Sequence, residues 1–376
     1  MRVAFVSNFL SVHQQPLCDA LAHTPNVDFR FIALSPISHT REKMGWNDLN
    51  DTAYVIKAYE DTEKDKALDY VSGADVAIFG HDKADIYFKC AIKNKHTIVY
   101  RCSERIYKHG RWRAISPRGI ISRWKTYYRY PKHNQYLLCS SAYAAKDFAI
   151  LGSFIGKSFK WGYFPPVDSY DIEKRIAQKS IGSIFWAGRM LQWKHPEIAI
   201  DIAERLRERK IQFNMNIAGD GPLFHDIQER VEKANLKQFV HLLGNCTPEV
   251  VREYMASSQV FLATSDYQEG WGAVINEAMS EGCAVVACEA MGSVPYLIQT
   301  GENGYSFPLG ENSVAYEQVE KLLVNRDLCE KFMKSAYHTI RGEWCAERAA
   351  QRLIHLSSAL LNGECCDYPS GPCSKA

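Results

Sequence analysis

The chain has 376 residues, 46% of them hydrophobic, with a formal net charge of +2 and a pI near 7.9. That length and apolar share suffice for two α/β domains with separate cores, and the small net charge gives no global case for nucleic acid as a partner. No apolar run reaches membrane-spanning length, and Met1 to Val6 reads as a strand and not as a signal peptide, so a cytoplasmic protein is expected.

Residues 2–6 form the first predicted strand, followed by a loop from Ser7 to His13, a helix from Pro16 to Ala22 and a strand over 28–34. His13 suits two roles, a base toward a hydroxyl or a plain loop residue at the helix start. A strand over 75–79 ends in Gly80-His81-Asp82, and one over 97–100 ends in Arg101-Cys102-Ser103-Glu104-Arg105. Glu104 is a candidate contact for a bound hydroxyl or, equally, a salt-bridge partner of Arg101 or Arg105.

From Arg105 to Lys132 the composition shifts to nine cations with no acid, interleaved with Tyr107, Trp112, Ile120, Ile121, Trp124 and Tyr127. Cations attract anionic head groups and aromatic rings settle at the water–lipid interface, so residues 105–132 are a candidate docking surface for an anionic membrane. A helix with buried aromatics and solvated cations would give the same composition; single-stranded nucleic acid fits less well, because the charge is local. A strand over 136–139 closes this half, and Phe164-Pro165-Pro166 breaks regular structure ahead of a polar run to Ser180.

The second half opens with a strand over 183–187 and then Gly188-Arg189, with Lys194 just ahead of an amphipathic helix over 196–209. Strands over 214–218 and 240–243 lead into Gly219-Asp220-Gly221 and Gly244-Asn245-Cys246. The stretch from Gln259 to Cys288 is strand, loop, helix, strand: Val260 to Ala263 is apolar, Gly270-Trp271-Gly272 breaks the backbone, Ala273-Val274 opens a helix, and Gly282 ends it. The amides of Gly272, Ala273 and Val274 at a helix start suit an anion or a sugar oxygen. Glu269 and Glu277 are better suited to hydroxyls, which a carboxylate accepts in two directions. Alone, the two acids would pass for solvated surface residues.

Together these residues resemble the retaining glycosyltransferases of family 4. The chain reads Glu269-Gly270-Trp271-Gly272, Asn276-Glu277-Ala278-Met279 and Gly282, with Gly188-Arg189 and Lys194 upstream in the manner of G-R-x4-K. Tyr296 stands where that family often has an acid, and the resemblance is strong over about 183–310 and only an outline before it. It implies the GT-B fold, two Rossmann-like domains with parallel sheets facing an interdomain cleft. It further implies transfer of a sugar from a nucleoside diphosphate sugar to a glycan or polyprenyl-linked glycan acceptor, with retention and without a metal cofactor. Arg189 and Lys194 would stabilise the leaving diphosphate and Glu269 would orient the sugar. Glu277 would hold the ribose, while Gly219, Asn245, Cys246 and residues 270–274 line the nucleotide site and His13 and Glu104 lie on the acceptor side. A sugar-nucleotide epimerase of the same architecture and an inactive sugar-binding or membrane scaffold are the alternatives.

The expected organisation is an acceptor-binding domain over 1–165, a hinge over 166–180, a nucleotide-sugar domain over 181–345, a crossing helix over 346–362 and a flexible tail over 363–376. The twelve cysteines lack paired C-x2-C spacing and are read as reduced thiols, and the location as cytoplasmic and peripheral on the inner face of the cell membrane.

Overall fold

The computed structural model describes residues 1–37, 47–80, 84–114, 116–124 and 133–376, with the backbone alone at Arg111, Arg113 and Arg123. His81 and Asp82, and the part of the basic stretch over 125–132, lie outside the described residues. The chain divides into two compact units, Met1–Pro166 with Trp344–Ala376, and Val167–Glu343.

Unit 1 is built on β1 (Arg2–Ser7), β2 (Asp28–Ala33), β3 (Val55–Lys57), β4 (Val76–Phe79), β5 (Ile98–Ser103), β6 (Gln135–Cys139) and β7 (Ser158–Lys160). All pair in parallel, in the order β3-β2-β1-β4-β5-β6-β7. Parallel strands are covered on both faces, which is why β1 and β4 read as unbroken apolar runs and are buried almost throughout. The order reverses at β1 and β4, so the loops after these two strands flank a topological switch point.

The closing helix Ala346–Leu361 belongs to this unit. It buries Ala349, Ala350, Leu353 and Leu356, and the Ser357 hydroxyl meets the Tyr100 hydroxyl at 3.1 Å. The tail, expected to be flexible, packs instead. Lys160 N donates to Ser374 O at 2.8 Å, Cys373 N to Lys160 O at 2.8 Å and Ala376 N to Ser158 O at 3.1 Å, while Arg352 holds the carbonyl of Pro372 at 3.2 Å. The cause is β7, an edge strand whose outward backbone groups take up this last stretch of chain. Cys373 is fully buried there, and all twelve cysteines are free.

Unit 2 carries β8 (Ser180–Ala187), β9 (Asn214–Ala218), β10 (Val240–Gly244), β11 (Ser258–Ala263), β12 (Ala284–Cys288) and β13 (Tyr305–Phe307), in the parallel order β10-β9-β8-β11-β12-β13. Its switch point falls between β8 and β11. The helix Glu197–Glu208 covers the sheet with Ile198, Ile202 and Leu206, one turn apart, and each such side chain stabilises by about 1.5–3 kcal/mol when fully buried. The run read as a hinge is built into this unit from Val167 onward. Asp171 caps the helix Ile172–Ala177, Ile172 and Ile176 enter the core, and Tyr170 packs on Tyr337 with ring centroids 4.7 Å apart. Lys179 is buried next to it, its ammonium donating to the carbonyls of Met255, Ala256 and Ser258 where the helix Pro248–Ser257 ends; burial pushes its pKa down.

Candidate active site

In unit 2 the two motif segments lie on either side of the switch point. Gly188 to Lys194 follows β8, and Thr264 to Gly272 follows the adjacent β11. Several bonds tie them together. The Thr264 hydroxyl donates to the carbonyl of Lys194 at 2.6 Å and accepts from the buried Trp186 indole at 2.9 Å. The Asp266 amide donates to Trp193 O at 2.9 Å. The Lys194 ammonium meets the Glu269 carboxylate, the two side chains being only 16% and 15% exposed, and it also lies 4.6 Å from the Trp193 ring. Arg189 is exposed and, among the described residues, has no ion-pair partner.

The turns at the ends of β9 and β10 join the same edge of the sheet. Gly188 N donates to Ala218 O at 3.0 Å, Met190 N to Asp220 O at 2.9 Å, and Gly219 N to Gly244 O at 2.7 Å. Gly219 has φ +135° and faces the Gly188 carbonyl so closely that a side chain has no room. Asn245 and Cys246 follow β10, the sheet's edge strand, and connect to the Arg189 loop through these turns; no hydrogen bond links them directly to Lys194 or Glu269 among the described residues.

Gly272 has φ +85°, and a Cβ there would come within 2.7 Å of Met291 Cε. It leads into the helix Val274–Ser280, whose first-turn residues Ala273 and Val274 stand where amides lack intrahelical acceptors. Trp271, expected beside the nucleotide, is fully buried. Its indole donates to Asn276 Oδ1 at 2.8 Å and its carbonyl accepts from Ser293 N at 3.0 Å. The ring anchors the loop in the core. Glu277 is partly exposed, and burial of its carboxyl pushes the pKa up, with Arg252 opposing.

Sequence reasoning missed His195. It follows Lys194 with φ 50° and ψ 52°; its Nδ1 lies 2.8 Å from Glu197 Oε1 and its Nε2 3.6 Å from Asp266 Oδ2. The hydrogen bond to Glu197, and then the charge of Asp266, raise the imidazole pKa against the opposing effect of burial. The Glu197 carboxyl is held low: burial alone would raise it, but the bond to His195 and the nearby Arg230 outweigh that. No motif marks Asp266 or Thr264, which fall in the unspecified positions between the glycines and the strand.

In unit 1 the two acceptor-side candidates meet through a third residue. The Tyr163 hydroxyl donates to Glu104 Oε1 at 2.8 Å, and the Tyr163 ring lies parallel to His13, 9° between planes and 6.3 Å between centroids. Lys108 donates to Glu104 Oε2 at 2.6 Å, so the acid's ion pair is with Lys108 and not with Arg101 or Arg105. Arg105 is buried with Asp147 at 3.7 Å, and Tyr107 enters a core cluster with Phe148 and Leu137. The candidate docking stretch therefore contracts at its start: Arg105 and Tyr107 are buried, and the exposed apolar residues of the stretch begin at Trp112.

Residues 172–339 match the family of glycosyl transferases group 1. The second unit is a group 1 glycosyl transferase domain. Over 138 residues this chain is 29% identical to N-acetyl-alpha-D-glucosaminyl L-malate synthase of Bacillus anthracis, covering 36% of this chain and 35% of the relative. Over 103 residues it is 34% identical to the putative glycosyltransferase EpsF of Bacillus subtilis, covering 27% and 26%. The chain thus spans about a third or less of the length of these relatives. Among solved structures, Anabaena HepE in complex with UDP aligns with a TM-score of 0.69 at 15% identity, over 96% of this chain and all of that one. Staphylococcal TarM aligns at 0.66 and 12%, over 95% and 98%. The fold around the group 1 domain is GT-B.

Proposed function

We propose that the chain transfers a sugar from a nucleoside diphosphate sugar to a hydroxyl of a glycan or lipid-linked glycan, with retention. The observation that carries this reading is the pairing of Lys194 with Glu269 at the switch point of the group 1 domain, one loop away from the exposed Arg189. A diphosphate entering there competes with Glu269 for the Lys194 ammonium, which frees the carboxylate to accept from sugar hydroxyls. Arg189 and Lys194 then neutralise charge as the diphosphate departs, the work a divalent ion does in other enzymes. Glu277, in the first turn of the helix Val274–Ser280, holds the ribose, its carboxylate accepting from two hydroxyls. In unit 1, Glu104 set by Tyr163 and Lys108, with His13 alongside, contacts the acceptor hydroxyl.

The test is a thermal-shift titration with UDP, GDP and ADP. At about 100 times the dissociation constant the right nucleotide adds about 2.7 kcal/mol, a shift of roughly 5–10 °C for a unit of this size. If none of the three moves the melting curve and no sugar nucleotide is consumed, the reading is wrong.

The same reading places the protein at an anionic membrane. Trp112 and Trp124 are 62% and 58% exposed, Ile120 and Ile121 lie between them, and Arg118 is exposed on the same short helix Pro117–Arg123, which the Ser116 hydroxyl caps at Gly119 N. These exposed side chains, two indoles, two isoleucines and an arginine, match the chemistry of an interface rich in anionic lipid. Cosedimentation with vesicles containing anionic lipid is expected at low salt, and Trp112→Ser with Trp124→Ser should lower the bound fraction about tenfold. Equal sedimentation of the double variant would show that this face does not dock.

A further inference from the structure

His195 occupies a left-handed backbone position, where any side chain is disfavoured relative to glycine, directly after Lys194. Its ring lies between two carboxylates carried by different elements: Glu197, at the start of the helix that follows, and Asp266, in the loop after β11. Asp266 in turn organises that loop. Its amide donates to Trp193 O, its carbonyl accepts from Glu269 N at 3.1 Å and its Oδ1 accepts from Gln268 N at 2.7 Å. A shift of Asp266 therefore carries Glu269 with it.

A neutral imidazole has one N–H. If Nδ1 gives it to Glu197, Nε2 turns a lone pair toward Asp266 and the contact becomes repulsive; the imidazolium donates on both sides. Resting on the reading of this site as a diphosphate site, we infer that His195 is a positioning residue whose imidazolium latches Asp266 to Glu197 and, through the Asp266 amide on Trp193 O, holds the adjoining Lys194 in place for its grip on the diphosphate.

The charged groups around the ring agree in sign. Glu197 and Asp266 face it; Lys194 adjoins it but is paired with Glu269. Arg230, from the helix Phe224–Lys233, lies beyond Glu197, bonded to its carbonyl at 3.5 Å and paired with Asp201 and Glu204. Because the folded-state pKa is raised, the latch contributes fully below the ordinary histidine value of about 6.5 and is lost as pH rises through the folded value. Its loss falls on the alkaline side.

The test compares UDP, GDP and ADP binding by calorimetry from about pH 6 to about pH 9 in the full chain and in two variants, His195→Gly and Asp266→Asn. Glycine suits the left-handed position, and asparagine keeps the shape of Asp266 without its charge, so both variants keep the fold. Nucleotide phosphates titrate in this range too, so the informative quantity is the ratio of variant to native affinity at each pH. Native protein should bind about tenfold more tightly than either variant near pH 6, with the gap closing to under twofold near pH 9. Binding whose ratio to either variant stays constant with pH overturns the latch while leaving the function intact. Absence of binding by all three nucleotides, at every pH and in every form, removes the diphosphate reading and the latch with it.

Discussion

Replacing Arg189 with alanine is expected to lower turnover by about 10²–10³-fold and to leave the melting temperature within about 2 °C of the native protein. The two halves of that expectation come from separate observations. Arg189 is exposed and, among the described residues, has no ion-pair partner, so its removal opens no cavity and strands no charge. In the proposed reaction its guanidinium, carried directly after a strand that borders the switch point, meets the charge that develops on the leaving diphosphate. A donor of that kind acts mainly in the transition state, so the fall should appear in kcat with a smaller change in KM. Lys194→Ala should look different. That ammonium meets Glu269, whose side chain is 15% exposed, so truncation leaves a half-buried carboxylate without its cation and adds a stability loss of about 1–3 kcal/mol. A steady-state assay and a melting curve on both variants separate the cases. Turnover within about threefold of native in Arg189→Ala would remove this residue from the mechanism.

Most of what was legible in the sequence lies in contiguous stretches. The strands of a covered parallel sheet are apolar runs, and β9, read as 214–218, occupies Asn214–Ala218. The motif Glu269-Gly270-Trp271-Gly272 could be placed on a strand-end loop because glycine breaks both patterns. What escaped has a different physical origin. Strands β3, β7 and β13 have three residues each, too few for any periodicity to register. His195 and Asp266 are separated by seventy positions in the chain, and only the β8–β11 pairing brings them together; neither residue type announces such a pair. Composition also says nothing of direction. Arg105 and Tyr107 share the basic aromatic stretch with Trp112 and Trp124, yet the first two are buried and the last two exposed. For the same reason the tail, poor in apolar residues, reads as disordered although an unpaired strand edge gives its backbone a place to bind. Trp271 is a further case: its place in the motif does not tell which way the ring points, and the ring fills the core while Gly272, at φ +85°, makes the turn.

Gly219→Ala is the second large effect, and it acts through the backbone. A Cβ at this position would stand 1.8 Å from the Gly188 carbonyl oxygen and 2.8 Å from its carbon, with φ at +135°. The neighbour is main chain and cannot rotate away, so the Gly188 peptide must retreat by more than an ångström, and Arg189 moves with it. The unfavourable dihedral costs about 1–3 kcal/mol and the crowding about the same again. Together they should lower the melting temperature by roughly 10 °C. Nucleoside diphosphate affinity should fall more than tenfold even below the transition, because the Arg189 loop is displaced in the folded protein. Gly310→Ala separates the two contributions: its φ is +91°, but nothing lies within 4 Å of the added carbon. It should cost about 1 kcal/mol and leave binding unchanged. If Gly219→Ala melts and binds as Gly310→Ala does, the close packing of the turns after β8 and β9 does not hold Arg189 in place.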